Sequence, residues 1–373
     1  MPTSVCQNGH LGKSYYDGLY QSLSLTSIWL RKMEKKMFFL FGILFFKISR
    51  PLIIIMIWAF SGCATAPENS HVDNFEPDGY YEPLPSIGKK GYLIKQLASE
   101  VYFFSTGVYN NLFIVTSDGV VITDPIKGKG KLLKKAIREI TSQPIRFMIY
   151  SHSHIDHIGD AHLFADDGVQ IVAQVETGKA LKKYKDKKRP LPHINFGTNY
   201  SLSIGGITIE LIYPGEGHGE GNSIIYIPSR KIMMYVDTVT PKSVPFKNFA
   251  YTADILSQMK GIEKALKLDF NVYIAGHLHR PGSKEEMKEV LAYYHASKKA
   301  SIEAIKKVSF LDVRSKSKTK DVERLFGEYL DAVAEECYRI LKPNWKQRLM
   351  GFEAFTKGHC DIWIAYHRTQ KAP

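Results

Sequence analysis

An apolar run, PIRFMIY at 144–150, delivers the chain directly into SHSHIDH at 151–157. Within six residues stand three histidines and one aspartate: His152, His154, Asp156 and His157. A strand holds this loop rigidly at one end. In an extended segment residues two apart project to the same side, so His152 and His154 share a direction. Asp156 and His157 lie one step further on and face a second point. Imidazole together with carboxylate suits zinc and its neighbours. Donors aimed at two points need partners from elsewhere, so the fold must return later segments to the end of this strand.

Three such returns are visible. His218 lies in YPGEGHGEGN, a glycine-rich turn after an apolar run. Asp237 closes KIMMYVDT, and His277 closes NVYIAGHLH, with His279 two residues on as its competitor. Each would be delivered by a strand end to one sheet edge.

The remaining pattern supplies the strands and helices this requires. VYFFS, NNLFIVTS and VVITDP read as strands between 101 and 124, with Asp118-Gly119 as a hairpin signal. Leu132, Leu133, Ala136, Ile137 and Ile140 recur at helical spacing over 130–141. VQIVAQ at 169–174 is a short strand, and 175–187 is helical and basic. TNYSLSIGGITIELIYP, NSIIYIPS, KIMMYVDT and NVYIAG form a second strand group around a helix at 252–267. Helices are expected again over 283–307 and 318–341, the second with a stripe of Val322, Leu325, Tyr329, Val333 and Ile340. Strands in two groups, each closed by helices, imply an α/β fold. The pattern suggests two sheets face to face with helices outside and a C-terminal helical extension.

The N-terminus reads differently. Residues 31–62, RKMEKKMFFLFGILFFKISRPLIIIMIWAFSG, place basic residues before two apolar runs and end in small residues directly before Cys63. That is the plan of a secretory signal. Phe60-Ser61-Gly62-Cys63-Ala64 resembles the lipobox of bacterial lipoproteins, with Phe60 where Leu is usual. The resemblance implies a lipidated Cys63, a membrane anchor that does not span the bilayer, and a domain facing the periplasm or cell exterior. An uncleaved anchor is the other reading. Met33 and Met37 are more natural starts for such a signal than Met1. The expected organisation is a targeting segment at 1–63, a Pro-, Gly- and Asn-rich tether at 64–94, a metal-binding domain at 95–300 and a helical extension at 301–373.

The order HxHxDH, then His in a glycine-rich turn, Asp after an apolar strand and a Gly-His pair resembles the metallo-β-lactamase superfamily over roughly residues 95–300. By that resemblance the fold is an αββα sandwich of two mixed sheets with outer helices and the site at one edge; His152, His154 and His218 bind one metal, Asp156, His157 and His277 a second, and Asp237 bridges them. Asp124 in VVITDP matches an aspartate that supports a ligating histidine from behind. The implied cofactor is zinc, two ions per chain, with iron or manganese as alternatives. The implied reaction is hydrolysis of an ester, thioester, lactone or amide of a small-molecule substrate by a hydroxide generated at the metals, with Asp156 also shuttling a proton. Asp237 departs from the zinc β-lactamases that carry Cys there, and Thr240 stands where those enzymes tend to carry a Lys that holds the drug's carboxylate. A β-lactamase and a mononuclear-iron persulfide dioxygenase are the alternatives within the family.

The formal net charge of +13 admits nucleic acid, an anionic membrane or an acidic substrate. The lysines are scattered, with no basic stripe carrying interleaved aromatics, so no nucleic-acid partner is expected. Of the four cysteines, Cys337 and Cys360 would remain beside Cys63 in an exported chain, either joined or as buried thiols. His359-Cys360 is also a candidate third metal site. Residues 310–373 carry no motif of their own.

Overall fold

The computed structural model describes residues 78–165, 168–278 and 280–370. The signal-like segment, Cys63 and His279 lie outside them. Among the described residues no helix is long and apolar enough to cross a membrane.

Two sheets stack face to face. The first runs β1 (Leu93–Ala98), β2 (Val101–Ser105), β3 (Asn110–Thr116), β4 (Gly119–Thr123), β5 (Ile145–Ile149), β6 (Gln170–Gln174) and β7 (Ile194–Phe196) in sequence order. It is antiparallel through β4 and parallel beyond it. Parallel neighbours need crossovers, here supplied by α1 (Gly130–Ile140), by the short helices α2 (Ile155–Ile158) and α3 (His162–Ala165), and by α4 (Val175–Tyr184). The second sheet comprises β8 (Asn199–Ile204), β9 (Ile207–Ile212), β10 (Ile224–Ile227), β11 (Ile232–Met234), β12 (Val272–Ile274) and β13 (Gly282–Ser283), and it too is mixed because β11 and β12 are parallel. Helix α5 (Ile255–Leu266) makes that crossover, and α6 (Lys284–Lys307), α7 (Phe310–Lys316), α8 (Val322–Trp345) and α9 (Phe352–Thr369) follow.

Strand alternation sorts the core into three layers. Val101, Phe103, Leu112, Ile114 and Val121 face Ile209, Leu211, Ile225, Ile227 and Met234 across the middle. Phe104, Phe113, Ile122 and Met148 point the other way and pack on Leu133, Ala136 and Ile137 of α1. Met233, Tyr235 and Tyr273 pack outward on α5, α6, α8 and α9. This is the expected αββα arrangement, and it leaves the C-terminal ends of β5 and β12 at one edge.

The expected domain boundaries need correction. Position 300 falls inside α6, whose buried face continues from Met287 through Tyr294 and Ala300 to Ala304. The C-terminal helices share one core with the second sheet and are not an appendage. The expected tether at 64–94 ends early. Tyr80 N donates to Lys346 O at 3.1 Å, Asp78 pairs with Lys346, Glu82 pairs with Arg280, and β1 already starts at Leu93. Of the stripe expected along α8, Val333 is buried and Leu325, Tyr329 and Ile340 are half-buried, but Val322 is 72 % exposed.

Cys337 and Cys360 form a disulfide between α8 and α9, resolving the two readings. With Cys360 so engaged, His359 is no metal ligand. It is buried among Phe249, Tyr293 and Trp363, with Nδ1 2.8 Å from the Tyr293 hydroxyl and Nε2 3.2 Å from the Phe246 carbonyl. Burial pushes its pKa down to about 4.

The crosslink spans 23 residues, so breaking it costs about 3 kcal/mol through the unfolded chain. Thermal melts should shift down by several degrees with reductant or in the Cys337→Ala/Cys360→Ala variant, and an unchanged melt would contradict the bond. His359 is neutral when folded and protonates more readily when unfolded. Its contribution is therefore present above pH 6.5 and lost as pH falls toward 4, amounting to about 2 kcal/mol by pH 5. Urea midpoints at pH 7 and 5 should show this slope reduced in His359→Gln, and an equal slope in both proteins would count against it.

Candidate metal centre

Strand β5 ends at Ile149, and the buried turn Ser151–Ser153 carries the chain into α2. His152 and His154 sit on the loop with ring centroids 4.5 Å apart, as their two-residue spacing requires. Asp156 and His157 fall on the first turn of α2 and point elsewhere. The loop from β9 brings His218, whose ring centroid is 4.7 Å from His154 and 5.0 Å from His152. The loop after β12 brings His277, centred 4.9 Å from His157. His152, His154, Asp156, His157, His218, Asp237 and His277, the ligands implied by the resemblance, all reach this one edge.

The donor atoms form two groups. His152, His154, His218 and Asp237 offer atoms within 4.8 Å of one another, as do Asp156, His157, His277 and Asp237. Asp237 belongs to both. Its Oδ2 lies 3.0 Å from His157 Nε2, 3.2 Å from His218 Nε2 and 3.8 Å from His152 Nε2, and its Oδ1 lies 3.2 Å from His277 Nε2. Asp156 Oδ2 is 3.5 Å from His157 Nε2 and 3.7 Å from His277 Nε2.

The inward atoms fit divalent cations. His218 Nε2 meets His154 Nδ1 at 3.1 Å, and His157 Nε2 meets His277 Nε2 at 3.1 Å. Ring nitrogens of different elements thus converge pairwise on common points. His152 Nε2 and Asp237 Oδ1 are buried with no hydrogen-bond partner. Such groups are costly to bury unless something compensates them.

The opposite ring edges are held by protein. Ala250 O accepts from His218 Nδ1 at 2.6 Å, which leaves Nε2 facing inward. Ser151 Oγ is 2.9 Å from His152 Nδ1. Asp124, fully buried, accepts from Ser151 N through Oδ1 and keeps Oδ2 4.0 Å from His157 Nδ1. At that distance the two atoms make no hydrogen bond, and each is buried without a hydrogen-bond partner.

Electrostatics follow from this crowding. Burial pushes His152 well below its ordinary pKa, which keeps it neutral and able to ligate. Burial alone would raise Asp237, but His157 and His277 hold it well below the usual carboxylate range. Burial opposes protonation of His157, yet Asp237 and Asp124 raise it to about 9, so a cation binding there displaces a proton. Burial lifts Asp124 to about 6.

Other residues hold the frame. Asn222 Nδ2 donates to Val236 O and Thr238 Oγ1, bracketing Asp237. Asp237 itself sits at φ 60°, a left-handed conformation costly for a non-glycine residue. Gly276, at φ +86°, has no room for a side chain, since a Cβ would come 2.6 Å from Val236 and 3.2 Å from the His157 ring. Asn110 N donates to Gly276 O and its Nδ2 to Leu278 O, which pins the His277 loop to β3.

Sequence reasoning missed the wall facing these donors. A cavity of about 510 Å³ is lined by Tyr109, His154, Asp156, Thr240, Phe246, Tyr251, Leu278 and Phe355, among others. Tyr109 packs on the His277 ring at 4.5 Å and lines the cavity beside Asp156. Segment 243–251, VPFKNFAY within it, has no strand or helix period. That irregularity was its only signal.

The comparisons with known proteins fit this geometry. Residues 106–277 match the model of the metallo-beta-lactamase superfamily. The alpha subunit of 2,4-dinitroanisole O-demethylase from Nocardioides sp. (strain JS1661) is 29% identical over 243 residues, 63% of this chain and 70% of that one. The type 2 metallo-beta-lactamase of Bacillus cereus is 29% identical over 184 residues, 47% of this chain and 70% of that one. A metallo-beta-lactamase from Pontibacter korlensis aligns with TM-score 0.48 and 23% identity, covering 54% of this chain and 97% of its own. With its two His/Asp donor groups suited to divalent metal, the segment from Thr106 to His277 is similar to the metallo-β-lactamase superfamily.

Proposed function

We propose that the protein is a hydrolase holding two zinc ions per chain and cleaving an ester, thioester, lactone or amide. The observation that supports this most is the sharing of Asp237 between two donor groups at one cavity. His152, His154 and His218 would hold one ion, Asp156, His157 and His277 the other, with Asp237 between them. When bound, such a pair supplies Lewis acidity and brings the pKa of a water toward neutrality.

The chain's own residues do the rest. Asp156 lines the cavity and can accept a proton and return it to the leaving oxygen. Tyr109, packed on the His277 ring, lines the cavity beside that carboxylate. Asp124, 4.0 Å behind His157 Nδ1, would orient that ring by closing to hydrogen-bond distance when a cation is bound. No side-chain nucleophile is needed.

β-Lactam hydrolysis is the second reading, favoured by relatives named metallo-beta-lactamase type 2. The relative named for O-demethylation of 2,4-dinitroanisole adds the aryl ether to the bonds worth testing. A lipid anchor at Cys63 would hold the site outside the cytoplasm, a reading supported by the basic, apolar and small-residue order of 31–63.

Metal analysis of the purified chain should return two zinc ions, and chelation should abolish turnover of a hydrolase panel until zinc is restored. One iron per chain without zinc would favour the dioxygenase alternative, and full activity after verified metal removal would refute the mechanism. Asp124→Ala should weaken zinc affinity by roughly 10- to 100-fold in a chelator competition while the circular dichroism stays native. Unchanged affinity would remove Asp124 from the site.

A further inference from the structure

The cavity beside the donors has a composition that selects among hydrolase substrates. Among the described residues that line it, none is Lys or Arg. Its far wall is Val244, Pro245, Phe246, Tyr251, Leu278 and Phe355. Phe246 packs edge-on against Phe355 at 5.0 Å and against Tyr251 at 5.9 Å, which makes a continuous aromatic surface. Its rim is apolar too: Val108, Phe246 and Tyr251 are 42 %, 55 % and 61 % exposed. Large apolar side chains left in water around a cavity mouth mark a surface that meets an apolar partner.

The cations nearest in sequence do not serve the cavity. Lys242 is paired with Glu289, and Arg280 with Glu82 and Glu286. Lys247 is exposed and outside the lining. At the floor Asp156 and Asp237 would be engaged by the two ions of the hydrolase reading, so the discrimination argued here is the wall's and not the floor's. An anionic group placed against the aromatic wall would lose its hydration and find no countercharge there, which is strongly unfavourable. Thr240, which lines the cavity, offers only a hydroxyl.

We infer that the substrate is an uncharged ester whose aromatic or acyl group lies against Phe246, Tyr251 and Phe355, and that anionic substrates are excluded by this wall. This deepens the hydrolase reading and rests on it. In the reaction a bond forms between the water oxygen and the acyl carbon, and the bond from that carbon to the leaving oxygen breaks. One water proton passes through Asp156 to the leaving oxygen, and the other leaves with the new carboxylic acid.

The test compares zinc-loaded full chain on 4-nitrophenyl butyrate and on mono-4-nitrophenyl glutarate, which differ in a distal carboxylate. The neutral ester should be preferred in kcat/KM by at least about tenfold, given the desolvation of an unpaired carboxylate. Tyr251→Ala, at an exposed position that folding does not need, should lower the neutral rate chiefly through KM. Thr240→Lys should narrow or reverse the preference. Equal or greater turnover of the glutarate by the wild type would overturn the inference and leave the hydrolase standing. Turnover of neither ester, nor of any panel member, would overturn the hydrolase reading. Equilibrium dialysis then decides the wall by itself: 4-nitrotoluene should bind the wild type and not Phe355→Ala, whereas 4-nitrobenzenesulfonate should not bind. Binding of the sulfonate alone would overturn the inference.

Discussion

Asp237 is the constraint on which the arrangement depends. One carboxylate touches four histidines from three different loops. Concentrating that much unscreened polarity at a buried edge is unfavourable unless every group is compensated. The surrounding structure is organised to allow it. Asp237 N donates to Ala275 O, Asn222 holds the flanking residues, and Gly276 admits the His157 ring where a side chain would block it. The residue is held left-handed, at a cost on the order of 1–3 kcal/mol. A strained residue at the junction of two donor groups is where strain is most readily explained by function.

The second organising element is the C-terminal helical region. It grips the loop that walls the cavity. Met350 N donates to Lys242 O, Val244 N donates to Met350 O, and His359 Nε2 faces Phe246 O. Asn248, Phe249, Ala250 and Tyr251 form a left-handed turn, a conformation each non-glycine residue resists by roughly 1–2 kcal/mol. Burial of Phe249 against Tyr294, His359 and Trp363 offsets part of that. The turn in return aims Ala250 O at His218 and sets Tyr251 at the mouth. Helices that look peripheral in sequence thus reach the candidate metal centre through one carbonyl.

This division explains what was legible beforehand. The ligand candidates could be read because each follows an apolar strand, and a strand end fixes a side chain with few degrees of freedom. His152 and His154 could be paired from their spacing alone. The two sheets could be read from period-two runs such as VYFFS and NNLFIVTS. The wall was not legible, because a left-handed turn of ordinary residues has no periodic pattern and Phe355 arrives from a helix more than a hundred residues later. The end of the tether was missed for a related reason. Asp78 and Glu82 find their partners at Lys346 and Arg280, and such long-range pairs leave no local trace. The pairing of Cys337 with Cys360 was undecided until α8 and α9 were seen side by side.

The central claim is that Asp237 joins two metal ions. Anomalous diffraction at the zinc edge from crystals of the zinc-loaded chain tests it most directly. Two peaks are predicted, one among His152, His154 and His218 and one among Asp156, His157 and His277, with the Asp237 carboxylate contacting both. A single peak at full zinc occupancy, or two peaks with Asp237 bound to only one, would contradict the account.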